Sequence, residues 1–212
     1  MSTYVDILDM ALLFLCQRPL KKDKELFSFD KMNRSINAKD LLLNNACKIF
    51  WSKGYSNVSV REISNAAGVD VALIARYFGS KRGLFEATLE NLTKIEAKDV
   101  QSSKGLIDAI VELFSNGPKD NVEASPISMI LTNSDDAEVG EIVRQIQYEY
   151  WQKGLEEIIG NKHQAAMFFG AIMGFCVVQK SLRLDGVAKV GSDMYRAQLR
   201  HMLEKATESP EK

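Results

Sequence analysis

Reactive side chains are scarce in this chain. Its 212 residues include two histidines, His163 and His201, and three cysteines, Cys16, Cys47 and Cys176. That supply is too small for a multi-histidine metal site or a histidine-centred triad. Three widely spaced cysteines without a C-x-x-C pair argue against a disulfide framework or zinc knuckle, and for reduced, buried thiols. No Walker A loop, G-x-G-x-x-G turn or G-x-S-x-G elbow occurs. The sequence therefore predicts no catalytic residue, no metal site and no cofactor. What remains is the chemistry of binding. Ser59, Arg61, Arg76, Tyr77 and Lys81 put hydroxyls and cations, the partners of phosphate oxygens, into one short stretch. Val71 and Ala72 add small apolar groups of the kind that meets thymine methyls in a major groove.

The elements that would position these groups are helical. Asn37 is a good N-cap, and Leu42, Ala46, Ile49 and Phe50 then stripe one face of a helix that Gly54 stops. Ser59-Val60-Arg61-Glu62 matches the capping box, so a short helix runs on through Ala67, with Ile63, Ala66 and Ala67 available for packing. Gly68 ends it, and Asp70 caps a second short helix over about 71–77. Two short helices across a tight glycine turn make the helix-turn-helix pattern. Ser80 then caps a longer helix, from Lys81 to about Lys98, with Phe85, Leu89 and Leu92 inward.

Charge separates the chain into two parts. The whole carries a formal net charge of -1, which excludes a uniformly basic nucleic-acid binder. Residues 37–82 hold seven Lys or Arg against three acids; residues 83–212 hold fourteen against twenty. A basic helix-turn-helix joined to an acidic helical region suits a DNA reader with a separate sensing or pairing module.

Residues 37–92 resemble the TetR/AcrR family of bacterial transcriptional regulators. The resemblance rests on Ala46-x-x-Ile49-Phe50, Gly54-Tyr55, Ser59-Val60-Arg61-Glu62-Ile63, Ala67-Gly68-Val69 and Tyr77-Phe78-Gly79-Ser80-Lys81-Arg82-Gly83-Leu84-Phe85, in the family's order and spacing. It implies an all-α fold: an N-terminal three-helix helix-turn-helix domain, joined by a long helix to a C-terminal ligand-binding and dimerisation domain. It also implies a dimeric, sequence-specific regulator, a repressor released by a small-molecule effector. The DNA contacts it points to are Ser59, Arg61, Val71, Ala72, Arg76, Tyr77 and Lys81, with Lys81 at the family's phosphate-contacting lysine. Two positions depart from the pattern. Ala75 stands where the family often has a tyrosine, and Tyr77 where it often has a histidine. An alanine cannot make the phosphate contact of a tyrosine, which leaves open an alternative, a helix-turn-helix protein acting mainly through protein partners with weak DNA affinity.

The expected domains are 1–36 as an extension, 37–97 as the DNA-binding domain with its motif at 59–78, and 98–212 as the effector and dimerisation domain. Met32 is an alternative start, which would leave 1–31 untranslated. Downstream helical stripes are Leu106, Ile110, Leu113 and Phe114; then Val139, Ile142, Val143, Ile146 and Tyr150; then the apolar run 163–184; then 192–207 with Tyr195, Leu199, Met202 and Leu203. Phe114, Met129, Tyr148, Trp151, Phe168 and Met173 are candidate lining for an apolar effector pocket, although plain core is the commoner use of such residues. Ala166, Gly170 and Gly174 recur every four residues, allowing close helix approach to a second copy or within one subunit. The longest apolar stretch, 165–178, is shorter than the roughly 20 residues a bilayer span needs, and reads as a deeply buried helix. The expected setting is the cytoplasm, and the expected partners are double-stranded operator DNA, a second copy of the chain and an unidentified small molecule, with no membrane.

Overall fold

The computed structural model describes residues 37–90, 92, 100, 102–116 and 124–208. Every regular element among them is helical. The N-terminal extension, the predicted continuation of the fourth helix through 93–98, and the Gly117-Pro118 stop lie outside the described residues.

The chain divides into two compact units. The first contains α1 (Ala38–Lys53), α2 (Val60–Ala67), α3 (Ala72–Phe78), α4 (Lys81–Leu89) and α6 (Pro126–Asn133). Its starts are set by side-chain caps that satisfy otherwise orphaned amides. Asn37 Oδ1 accepts from the Asp40 N–H at 3.0 Å, Ser59 Oγ from Glu62 at 3.1 Å, Ser80 Oγ from Gly83 at 2.9 Å, and Ser125 Oγ from Ser128 at 3.2 Å. Gly54, at φ +84°, ends α1 where the chain passes the Thr132 carbonyl; a Cβ there would lie 3.0 Å from that oxygen. Leu42, Ala46 and Phe50 are buried as the α1 stripe predicts, with Ile49 half-buried. On α2, Ile63 is buried but Ala66 is exposed; Ser64 takes the inner place and satisfies its hydroxyl on the Arg61 carbonyl at 3.0 Å.

The core of this unit is aromatic. The Phe50, Tyr55 and Phe85 rings lie 5.4–5.6 Å apart, one pair stacked and two edge-on, which favours ring quadrupoles beyond simple burial. Trp51 Nε1 donates to Thr88 Oγ1 at 3.1 Å and so ties α1 to α4.

The packing of 124–143 differs from the expected single domain over 98–212. These residues group with the helix-turn-helix elements, α6 lying against α1. The buried Asn133 side chain explains the attachment: its Oδ1 accepts from the Tyr55 N–H at 2.7 Å, and its Nδ2 donates to the Met129 and Phe50 carbonyls at 2.9 and 3.3 Å.

The second unit holds α5 (Ser103–Asn116), α8 (Lys153–Ile159), α9 (Lys162–Cys176) and α10 (Asp193–Thr207). The division between units falls within α7 (Gly140–Gln147). A π-helical turn, Tyr148–Gln152, joins α7 to α8, so the predicted long helix is present but locally widened. A second π turn, Val177–Ser181, extends α9. Leu106, Ile110, Leu113 and Phe114 are all buried, as are Tyr195, Leu199 and Leu203. α10 packs on both α9 and α5, and Arg196 and Arg200 pair with Glu112 and Asp108 at 3.0 and 2.6 Å. The apolar run is not buried all round: Ala166, Met167, Gly170 and Gly174 face outward from the single chain. Among the described residues no helix is long and apolar enough to cross a membrane.

Candidate nucleic-acid interface

The second helix of the motif, α3, is two-faced over only seven residues. Ile74 is its buried anchor, while Val71, Ala72, Ala75, Arg76 and Tyr77 are exposed. Asp70 Oδ1 accepts from the Ala72 N–H at 2.7 Å, so the predicted capping carboxylate is engaged, two residues before the helical start and one before the N-cap position, Val71. Val71 and Ala72 thus sit at the N-terminal end of an exposed helix, where base edges are read when such a helix enters a major groove. Gly68, at φ +67°, supplies the left-handed turn between α2 and α3.

Cations and hydroxyls surround this face. Arg76 is exposed, with its guanidinium carbon 5.9 Å from the Tyr77 ring centroid. Tyr77 stands edge-on to Phe78 and stays open to solvent rather than packing between α1 and α4. Arg61 is exposed on α2. Ser59 is exposed while its hydroxyl oxygen caps α2, leaving its hydrogen free to donate. The Lys53 ammonium, 2.6 Å from the Glu62 carboxylate, holds that acid below its ordinary range.

Lys81 is placed by a residue that the charge pattern does not reveal. Its Nζ lies 4.1 Å from the Tyr55 ring centroid, a cation–π contact at the start of α4. The Tyr55 hydroxyl donates to Glu138 Oε1 at 2.5 Å. Burial, with that carboxylate beside it, pushes the Tyr55 phenol well above its ordinary value, so it remains a donor. Ser56 reaches Asp136 with its hydroxyl at 2.6 Å and its amide at 3.2 Å. Burial works against the Asp136 carboxylate, but these bonds and the Glu138 and Val139 amides outweigh it and hold its pKa low. A clasp of Tyr55, Ser56, Asn133, Asp136 and Glu138 therefore fixes the turn that carries the Lys81 platform. Sequence spacing carries no sign of it. Nor does it single out Lys39, whose Nζ lies 5.8 Å from the Phe78 ring, at the exposed start of α1.

The six candidate pocket residues are divided between the two units. Met129 is fully buried in α6, in the first unit. The other five belong to the second. Phe114, Trp151 and Phe168 are buried there, Met173 is half-buried, and Tyr148 is 45% exposed. Among the described residues no group of His, Cys, Asp and Glu is placed to hold a metal ion.

Comparison with known proteins agrees with this geometry. The family model described as "Bacterial regulatory proteins, tetR family" matches residues 42–88. The chain is similar to the probable HTH-type transcriptional regulator YttP of Bacillus subtilis, 35% identical over 68 residues, covering 32% of this chain and 33% of that protein. It is similar to the HTH-type transcriptional regulator BetI of Cronobacter sakazakii, 24% identical over 104 residues, covering 49% and 46%. The matched stretch thus spans a third to just under half of these relatives' length. Among solved structures, SCO4454, a TetR-family transcriptional regulator from Streptomyces coelicolor, superposes with a TM-score of 0.61 at 16% identity, covering 80% of this chain and 94% of that one. A HlyIIR mutant with residues 169–186 replaced by a linker gives 0.51 at 17% identity, covering 79% and 95%. These two likenesses concern the fold.

Proposed function

We propose, from the premise that this chain belongs to the TetR family of bacterial regulatory proteins, that it is a homodimeric transcriptional regulator that reads operator DNA with α3. In this reading it is a repressor, released when a small molecule binds the second unit. The observation that carries the reading is the exposed face of α3 and its N-cap: Val71, Ala72, Arg76 and Tyr77 are exposed, while Ile74 is buried. Val71 and Ala72 contact thymine methyls, and Arg76 and Lys81 contact phosphates. Ser59, at the N-terminus of α2, binds a further phosphate through its hydroxyl and the neighbouring amides. Arg61 and Tyr77 add weaker backbone contacts. The Arg76 cation and the Tyr77 hydroxyl together serve the phosphate that Ala75, with its bare methyl, does not reach.

Two copies solve a limit of one: a single short helix reads few base pairs, whereas a two-fold dimer reads two half-sites about 34 Å apart. An effector that binds one separation of the two recognition helices better than the other shifts the population accordingly.

Sequencing of genomic fragments captured by the purified protein at near-physiological salt tests the reading. The expected product is a palindromic site. Affinity for that site should fall steeply with salt, because phosphate contacts release counterions. Arg76→Ala and Lys81→Ala should each weaken binding and lower the salt slope by about 1 per phosphate contact removed, with the fold retained. If neither variant changes operator affinity, the site assignment is wrong. If folded, dimeric protein captures no site with or without metabolite extract, the protein-partner alternative replaces this reading.

A further inference from the structure

Two side-chain polar atoms are buried without any hydrogen-bond partner among the described residues, and both belong to the second unit: Lys180 Nζ and Ser115 Oγ. An amine and a hydroxyl left dry in this way each forfeit their hydration, which is the costliest arrangement of a polar group in a protein. Buried polar groups in native folds are otherwise almost always satisfied.

Their placement is related. Lys180 lies in the π turn Val177–Ser181 at the end of α9, a widened turn of the type that recurs at functional sites. The adjacent Gln179 accepts from the Tyr195 hydroxyl at 3.2 Å, which sets this turn against the first turns of α10. Ser115 lies in the last turn of α5, and its carbonyl would stand 3.3 Å from a Cβ at Gly191, just before α10 begins. The end of α5, the end of α9 and the start of α10 therefore converge, and each orphan sits on one of the two elements that meet α10 there. The neighbouring buried residues are Phe175, Cys176, Tyr195 and Leu199, apolar apart from a thiol and a phenol already engaged with Gln179. No carboxylate among the described residues pairs with Lys180, although Arg196 and Arg200 on α10 are both paired with acids of α5.

We propose that this end of the second unit is a binding site for a small organic carboxylate with an apolar body, its oxygens accepting from Lys180 Nζ and Ser115 Oγ. The carboxylate supplies the acceptor the ammonium lacks. Phe175, Tyr195 and Leu199 suit the remainder of the molecule. Burial draws the Lys180 pKa down, and the Cys176 thiol, pushed up to about 11, gives the amine no anion of its own at neutral pH. The inference deepens the effector-released reading and rests on it for any consequence at DNA; the binding itself rests on the two orphaned groups.

The test uses the full chain and a panel of monocarboxylates (butanoate, octanoate, decanoate and benzoate), each paired with the alcohol of the same skeleton. Thermal midpoints and titration calorimetry are read without DNA. At least one acid should bind and raise the midpoint where its alcohol does not. Lys180→Met should weaken that acid by about ten- to a hundredfold, the worth of a charge-assisted hydrogen bond. Ser115→Ala should weaken it less, and Lys189→Met, at an exposed lysine, should leave it unchanged. The ligand-free midpoint of Lys180→Met should equal or exceed the parent's, which shows that the variant folds. The proposal is overturned if no acid binds better than its alcohol, or if Lys180→Met binds the acid like the parent. A final arm adds the bound acid to the operator complex. Release supports both readings; binding without release overturns the effector reading and leaves the carboxylate site standing.

Discussion

Asn133→Ala should be the most damaging single truncation of a polar side chain in the first unit. Asn133 is fully buried and reaches four groups: it accepts from the Tyr55 N–H and donates to the carbonyls of Phe50 and Met129 and to Thr132 Oγ1. Truncation does not harm all of these equally. The Phe50 carbonyl keeps the Gly54 N–H at 3.0 Å. Tyr55 N–H is the group left behind, and an orphaned buried donor costs about 1–3 kcal/mol. The small void adds about 1 kcal/mol. The sum, about 2–4 kcal/mol, is a large part of a small unit's stability. The chain provides its own probe. Trp51 and Trp151 are its two tryptophans, one in each unit, so a Trp151→Phe background leaves Trp51 to report on this one alone. With a urea m-value near 2 kcal/mol/M, the Trp51 midpoint should fall by about 1–2 M. Ser56→Ala, which removes an exposed bond to Asp136, should cost less than about 0.5 kcal/mol. A midpoint shift for Asn133→Ala no larger than that of Ser56→Ala would refute the claim that Asn133 holds α6 to α1.

Three further outcomes follow from the same geometry. The Asp136 carboxylate has a folded pKa below its unfolded value, so the stability it contributes is present above about pH 4 and is lost as pH falls through the lower folded value; the Trp51-reported acid transition should be shallower in Asp136→Asn. Gly83→Ala would put a Cβ 2.1 Å from the Phe78 carbonyl oxygen, and should cost about 2 kcal/mol or more by urea denaturation, whereas Gly68→Ala meets open space and suffers only its φ of +67°, about 1–2 kcal/mol. Cys176, buried and with its thiol pKa pushed up to about 11, should resist a thiol-reactive dye at pH 8 in a Cys16→Ser background until urea unfolds the second unit.

The parts of this fold that the sequence made legible are those written in neighbouring residues. Asn37, Ser59 and Ser80 each stand before a helix and bond to an amide three positions on. A cap, a glycine stop and a 3.6-residue stripe are local events, so their spacing survives in one dimension. On α3, Ala72 and Arg76 stand two residues either side of Ile74 and so lie across the helix from that buried residue. The clasp was not legible. Its bonds join residues 78 to 83 positions apart, and nothing in the Asn133-Ser134-Asp135-Asp136 run distinguishes a polar break from a set of acceptors for a distant turn. Met129 meets the same limit, since an apolar residue in a short helix does not say which core it enters. The π turns were equally hidden, because one extra residue in a helical turn leaves an amphipathic stripe almost unchanged.

The outward face of α9 gives the dimer proposal its sharpest test. The apolar run reads as a helix buried all round, yet Ala166, Met167, Gly170 and Gly174 lie open on the single chain, Met167 at 65% exposure, and Met194 on α10 at 64%. Covering such residues removes apolar surface from water, and a two-fold axis lets one surface cover its own copy. Gly170 and Gly174 meet no atom of the described residues within 4 Å of an added Cβ, so nothing among those residues requires them to be glycine. Close approach of a second helix does require it. Gly170→Glu should therefore fold like the parent, since its side chain enters open space, but should bring two carboxylates together across the axis. The expected result is a monomer by light scattering, with its Trp51 midpoint preserved and its operator affinity reduced to that of one half-site. A Gly170→Glu chain that remains dimeric would move the pairing surface away from α9.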